Sequence, residues 1–186
     1  MSTSLLHHAF GLIDQRYIKT EYRHGVIIFH FQTKDDKLRC SNCGSFHVIK
    51  KGSVERVFKT APIGLKPVYL KARIQRLECR QCGTIRQERI RYAEEKNYTY
   101  KFRRYVLGLL QCMTIDDVSY NVGMSWNTIK NIEKKLLQTH YSNPDLSNLQ
   151  RIGIDEFSVA KGHSYMTVVM DLDRSKVIYV GEGRTS

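Results

Sequence analysis

The sequence predicts an α+β protein with a small β-rich metal-binding domain, a three-helix segment and a final run of strands. Two matching CxxCG motifs flank strand-like alternating residues, apolar residues recur at helical spacing over residues 99–140, and three β-branched runs follow residue 150. The 186 residues are 41% hydrophobic and 26% charged, which is typical of a folded chain. These observations predict several small folded segments.

We divide the chain into four segments. Residues 1–39 are expected to form an N-terminal helix, within residues 4–15, and a β-hairpin whose strands YIKTEYR and VIIFHFQ flank His24-Gly25. Residues 40–98 are expected to form a zinc-binding β domain that ends in a polar linker, residues 84–98. Residues 99–142 are interpreted as a helix-turn-helix domain, and residues 150–186 begin a further domain.

The cysteine pairs are the strongest local signal. The segments CSNCG and CRQCG are matching knuckles, and two knuckles supply four thiolates for a closed tetrahedral Zn²⁺ site. The candidate ligands are Cys40, Cys43, Cys79 and Cys82. Two accidental pairs of buried thiols are the alternative, and His47 could replace one ligand. The zinc interpretation makes the site structural, since it leaves no coordination position open for catalysis.

The strand before the second knuckle alternates apolar and polar residues. Its candidate buried positions are Val68, Leu70, Ala72, Ile74 and Leu77. Cys112, by contrast, lies in an apolar helical context, so we expect a buried core thiol there.

The segment MTIDDVSYNVGMSWNTIKNIEKK is typical of a helix-turn-helix. Gly123 lies where a sharp turn needs positive φ, and Ser125 is a good N-cap for the next helix. A plain three-helix bundle with a solvated basic face is the alternative, and Trp126 could be a core residue. The candidate DNA-binding residues are Ser125, Trp126, Asn127, Thr128, Lys130, Asn131, Lys134, Arg103 and Arg104.

The net charge of +12 is placed unevenly. Residues 151–186 hold five Lys/Arg and five Asp/Glu, so residues 1–150 carry the whole excess. This distribution favours a polyanion such as double-stranded DNA as partner of the first part. No apolar run is long enough for a membrane span and no secretory signal is evident, so we expect a cytoplasmic, nucleoid-associated protein with no membrane partner.

The stretch RIGIDEF holds a carboxylate in an otherwise apolar strand. Neighbouring side chains on a strand point to opposite faces, so Asp155 and Glu156 cannot both face one metal ion. If the hairpin turns near Lys161-Gly162, Asp155 lies opposite about Val168. Asp171 and Asp173 are then expected to be strand-end and turn residues.

Four segments together resemble the ISL-three family of insertion-sequence transposases. They are CSNCG, TAPIGLKPVYLKARIQRLECRQCG, MTIDDVSYNVGMSWNTIKNIEKK and IGIDEFSVAKGHSYMTVVMDLDRSKVIYVGEGR. The resemblance implies a zinc-binding domain, a helix-turn-helix, and the first three strands of an RNase H-like domain with a DDE carboxylate triad. It implies that Asp155 is the first catalytic aspartate and a Mg²⁺ ligand of an incomplete site.

The resemblance also implies a function. In the family, three carboxylates hold two Mg²⁺ ions that cleave and join phosphodiesters. Since neither the second Asp nor the Glu is present, we expect the chain alone to bind the terminal inverted repeats and not to cut them. The resemblance leaves a homodimer open.

Two other classes fit part of the sequence. A non-enzymatic regulator, either a truncated transposase acting as a repressor or a zinc-ribbon and helix-turn-helix transcription factor, would show the same residues up to 150. A soluble basic scaffold would require both motifs to be accidental.

Overall fold

The computed structural model describes residues 5–94, 97–160 and 164–182. Two sheets and four helices make up the described chain, which is therefore mixed α and β. The chain divides into two compact units, residues 1–132 and 133–186. The elements in chain order are α1 (Leu5–Phe10), β1 (Gln15–Arg23), β2 (Val26–Thr33), β3 (Val48–Ile63), β4 (Lys66–Cys79), β5 (Ile85–Gln87), α2 (Tyr100–Leu109), α3 (Ile115–Val122), α4 (Trp126–Tyr141), β6 (Ile152–Ala160), β7 (Ser164–Asp171) and β8 (Lys176–Glu182).

The first sheet joins the N-terminal hairpin to the strands between the cysteine pairs. Its order is β1-β2-β4-β3, with β5 paired to β4. The hairpin turns at His24 and Gly25, which both have positive φ, the conformation that a tight two-residue hairpin turn requires. Strands β2 and β4 pair in parallel, so the segments predicted separately as residues 1–39 and 40–98 share one sheet.

One face of this sheet carries the larger hydrophobic core. The predicted buried positions of β4 are confirmed, since Val68, Leu70, Ala72, Ile74 and Leu77 are all at most 3% exposed. The first four of these pack with aromatic side chains of β2 and β3 and with the end of α1. Alternation along the strand therefore selects the core face correctly.

The predicted linker at residues 84–98 is wrong. Strand β5 adds to the sheet, and Tyr92 and Ala93 are buried in the same core. The rings of Phe31 and Phe58 meet Tyr92 edge-on at 5.2 and 5.5 Å between centroids. This stretch looks polar because its buried residues are few and are interrupted by exposed arginines.

Helices α2 and α3 and the start of α4 share a second core. Its buried members are Phe102, Val106, Val118, Val122, Ile129 and Ile132. Each helix begins at a hydroxyl cap: Thr99 accepts from the Phe102 N–H, Thr114 from the Asp117 N–H, and Ser125 from the Thr128 N–H. The expectation for Cys112 is wrong, because that residue follows the end of α2 and its thiol is exposed.

The second sheet is the antiparallel meander β6-β7-β8. Asp155 pairs with Val168, as the strand spacing predicted. Asp171 is buried at the end of β7, where one carboxylate oxygen accepts from the backbone N–H groups of Asp173 and Arg174. It therefore shapes the β7–β8 turn, while the predicted turn at Lys161-Gly162 lies outside the described residues.

Candidate metal centre and nucleic-acid interface

The four predicted metal ligands converge on one point. The sulfur atoms of Cys40, Cys43, Cys79 and Cys82 all lie within 4.8 Å of one another. The Sγ atoms of Cys40 and Cys82 are 3.6 Å apart, as are those of Cys43 and Cys79. A tetrahedral ion with Zn–S bonds of ~2.3 Å requires sulfur atoms about 3.8 Å apart, so the cluster fits zinc closely.

The two knuckles have the same backbone geometry. The Gly44 N–H donates to the Cys40 carbonyl at 3.0 Å, and the Gly83 N–H donates to the Cys79 carbonyl at 2.9 Å. Both glycines have positive φ, 78° and 69°, which a side chain would disfavour. The repeated CxxCG motif therefore encodes two copies of one turn, each presenting a pair of thiols.

The surroundings of the thiols shift their pKa values in opposite directions. The hydroxyl of Thr84 lies 3.0 Å from the Cys82 sulfur. Hydrogen bonds from this hydroxyl and from the Thr84 backbone N–H lower the pKa of Cys82 to about 5. At Cys43 the Ser45 N–H lowers the pKa, but burial and the neighbouring thiols outweigh it and raise the pKa to about 12. Zinc binds thiolates, so metal binding displaces the protons of these thiol groups.

Sequence reasoning missed Thr84 and Asn42, whose amide lies 3.7 Å from the Cys82 sulfur. Their signal was available, because each lies within or directly after a knuckle. His47 is exposed and does not belong to the sulfur cluster, so the four cysteines form the site without it.

The turn between α3 and α4 is tight and well capped. Gly123 has φ 58° and ψ 50°, the left-handed conformation that ends a helix, and its N–H donates back to α3 carbonyls. The Ser125 and Thr128 hydroxyls hydrogen-bond each other at 2.8 Å. Both hydroxyls are thus hydrogen-bonded at the N-terminal end of α4.

The outward side of α4 carries most of the predicted DNA-binding side chains. Trp126, Asn127, Lys130, Asn131 and Lys134 are all exposed, and Trp126 is 43% exposed. The Lys130 ammonium lies 4.8 Å from the centroid of the Trp126 ring, a cation–π contact. Trp126 therefore supports a cation on the surface and is not a core residue.

The two arginines predicted on α2 differ. Arg103 donates to the Glu94 carboxylate at 2.7 Å and stacks over the Tyr100 ring, so its charge is already paired within the protein. Arg104 is exposed. Of these two arginines, Arg104 alone presents an exposed cation beside the helical core.

Asp155 lies on β6 with its side chain exposed, and one oxygen accepts from the Glu156 N–H at 2.8 Å. On the same face, an added Cβ at Gly153 would come 2.9 Å from the Leu172 side chain, so that glycine admits a neighbouring leucine. Within the described residues, the cysteine quartet is the only group of three or more potential ligands close enough to share a metal. Mg²⁺ prefers about six oxygen ligands, so Asp155 without partner carboxylates does not fit a magnesium site.

Comparison with known proteins separates the segment with the zinc knuckles from the segment with Asp155. Residues 36–82 match the family described as the zinc-finger of transposase IS204/IS1001/IS1096/IS1165, and residues 152–186 match a family described as transposase. No solved structure matches the chain. None of the helices in the described part of the chain has the length and apolar composition that crossing a bilayer requires.

Two curated relatives extend the match. The transposase for insertion sequence element IS1001 of Bordetella parapertussis is 32% identical over 148 residues, which are 78% of this chain and 36% of that protein. The transposase for insertion sequence element IS1557 of Mycobacterium tuberculosis is 27% identical over 147 residues, 78% of this chain and 33% of the relative. The chain thus spans about a third of the length of these relatives. The family and the sulfur geometry together support a structural Zn²⁺ in the knuckles.

Proposed function

We propose that this chain, which belongs to the ISL-three family of insertion-sequence transposases, recognises the terminal inverted repeats of its element through α2–α4 as a helix-turn-helix. The observation that carries the proposal is the capped turn at Gly123 between two short-linked helices over a shared core. That arrangement lets α4 enter a major groove while α3 supports it.

Within this proposal the α4 residues have different roles. Asn127 and Asn131 can read base edges, because an exposed amide can donate and accept at once. Lys130 and Lys134 contact phosphates, with Lys130 oriented by the ring of Trp126. Ser125 and Thr128 set the start of the helix and contact DNA only through the groups their mutual hydrogen bond leaves available.

The proposed role of β6–β8 is to begin an RNase H-like domain in which Asp155 is the first carboxylate of the triad. Its support is the match of residues 152–186 to a transposase family and the position of Asp155 within β6, paired with Val168 of β7. Because the described residues do not complete a magnesium site, no chemical step is assigned to them. Transposition, with two copies on paired ends in the bacterial nucleoid, is proposed for the whole protein.

The proposal is tested with 40-bp duplexes tiled across both ends of the element that carries this gene. The zinc-loaded chain should bind end duplexes at least tenfold more tightly than scrambled duplexes of equal composition. Its affinity should fall steeply with salt, since each neutralised phosphate contributes a slope of about −0.9 in log K against log salt. Equal binding to end and scrambled duplexes would refute sequence recognition.

A further inference from the structure

A buried lysine joins the first sheet to the helix-turn-helix. Lys59 lies on β3, is 8% exposed, and donates from Nζ to the carbonyls of Val122 and Gly123, the latter at 3.1 Å. These carbonyls end α3, where the partial negative charge of the helix favours a cation. The ammonium also lies 5.6 Å from the ring centroid of Tyr69, the residue that pairs with Lys59 on β4.

The backbone reinforces this junction. The Lys59 N–H donates to the Asn97 carbonyl, and the Thr99 N–H donates to the Lys59 carbonyl at 2.9 Å. The buried hydroxyl of Thr99, which caps α2, donates to the Thr60 hydroxyl at 2.9 Å. The start of α2 and the end of α3 are therefore both hydrogen-bonded to Lys59 and Thr60 of β3.

The other end of the same sheet carries the zinc knuckles. Strand β4 runs without a break from Lys66 to Cys79, and its last residue is a predicted zinc ligand. From Tyr69, beside the α3–α4 turn, to Cys79 is ten residues, or about 33 Å at ~3.3 Å per residue. One turn of B-DNA is ~34–36 Å, which is almost the same length.

The surface between these ends is polar and cationic. Lys71 and Arg73 follow Tyr69 on the same face of β4, opposite the hydrophobic core. Lys71 pairs with Glu55 at 2.9 Å, while Arg73 is exposed and donates from Nε to the Ser53 hydroxyl at 3.1 Å. At the zinc end, Arg80 is exposed inside the second knuckle. A duplex lying along β4 would therefore meet the exposed cations Arg73 in the middle of the strand and Arg80 at the zinc end.

We infer that β4 is a rigid spacer that sets the zinc knuckles and the α3–α4 turn about one helical turn apart on a single duplex. The chain then reads a bipartite site whose two parts lie about ten base pairs apart on one face of the DNA. This inference rests on the proposed DNA binding and adds its geometry: Lys59 is the positioning residue that fixes the spacing.

The first test uses the unmodified, zinc-loaded chain and a random-sequence duplex library. Hydroxyl-radical footprints on selected duplexes should show two protected patches on one face with centres about ten base pairs apart. Inserting five or ten base pairs between the patches should weaken binding at least tenfold, because a rigid spacer tolerates neither a rotated nor a displaced second part. One patch, or two patches whose spacing can be changed without loss, overturns the spacer.

The second test removes the joint. In Lys59→Met, checked for folding by circular dichroism and for zinc content, the penalty for the ten-base-pair insertion should fall below threefold while each patch remains protected. Lys66→Met, at the exposed lysine that begins β4, is the matched control and should keep the full penalty. If Lys59→Met keeps the full penalty, Lys59 does not set the spacing. If Lys59→Met does not fold, the insertion test on the unmodified chain alone decides whether β4 is a spacer. If the unmodified chain selects no duplex from the library, the proposed DNA binding itself is refuted.

Discussion

Removing zinc should loosen the knuckles and leave the first sheet folded. The sheet core contains twelve buried residues from α1 and the loop after it, β2, β3, β4 and the segment around Tyr92, and none of them is a cysteine. The knuckles, by contrast, are short turns with exposed residues between the thiols. Their order therefore depends on the metal, while the core of the sheet depends on apolar burial.

The size of the effect follows from linkage. A metal that binds only the folded state at a free concentration 100-fold above its Kd stabilises that state by about 2.7 kcal/mol. For a chain of this size each kcal/mol shifts Tm by ~2–4 °C, so a strong chelator should lower Tm by ~5–11 °C. The strand signal in far-UV circular dichroism should persist at 25 °C.

The assay compares thermal melts with and without chelator and measures zinc released per chain. Cys112→Ser is the matched control, because this thiol is exposed and outside the cluster; it should retain one zinc and the full shift. Cys79→Ser should bind zinc weakly and respond little to chelator. A zinc-loaded chain whose Tm is unchanged by complete removal of the metal would contradict the structural role.

Three further predictions concern a glycine pair, an arginine pair and a buried carboxyl group. Gly123→Ala should lower stability by ~1–2 kcal/mol in thermal melts because φ is left-handed there, whereas Gly108→Ala, in an ordinary exposed helical position, should raise it by ~0.5–1 kcal/mol. Arg104→Ala should reduce the salt slope of DNA binding by about one, and the carboxylate-paired Arg103→Ala should reduce it less. Burial raises the pKa of Glu88, so the folded chain favours the neutral form of this carboxyl and gains stability as pH falls through the raised pKa. Glu88→Gln should raise Tm at pH 7 and flatten the dependence of Tm on pH above the ordinary pKa of a glutamate.

The parts of the fold that depend on local residue patterns could be predicted from the sequence. The knuckles, the hairpin at His24-Gly25 and the α3–α4 turn each depend on a few neighbouring residues whose backbone conformation is nearly fixed. Alternation in β4 also predicted which of its side chains are buried, because a single covered face imposes period two.

The parts that depend on distant residues could not be predicted. The parallel pairing of β2 with β4 joins residues about forty positions apart, and no local pattern specifies it. Lys59 lies in a polar-looking strand position, and only the carbonyls at the end of α3, more than sixty residues later, explain why a lysine is buried there. Cys112 looked apolar in context, but α2 ends before it, so its thiol does not reach the core.

The meander shows why correct strands need not give a correct site. Apolar side chains stand exposed along β6 and β8, including Ile154, Phe157 and Tyr179. Among the described residues of the meander the buried side chains are those of Thr167 and Asp171, both on β7. Strands with apolar residues on both faces are typical of sheets covered on both sides. In such strands alternation does not mark an inner face, so the sequence could place Asp155 opposite Val168 but could not say what faces the carboxylate. The register of a strand follows from spacing along the chain, whereas the chemistry of a carboxylate follows from the groups brought against it, and at Asp155 only the first of these is fixed by the described residues.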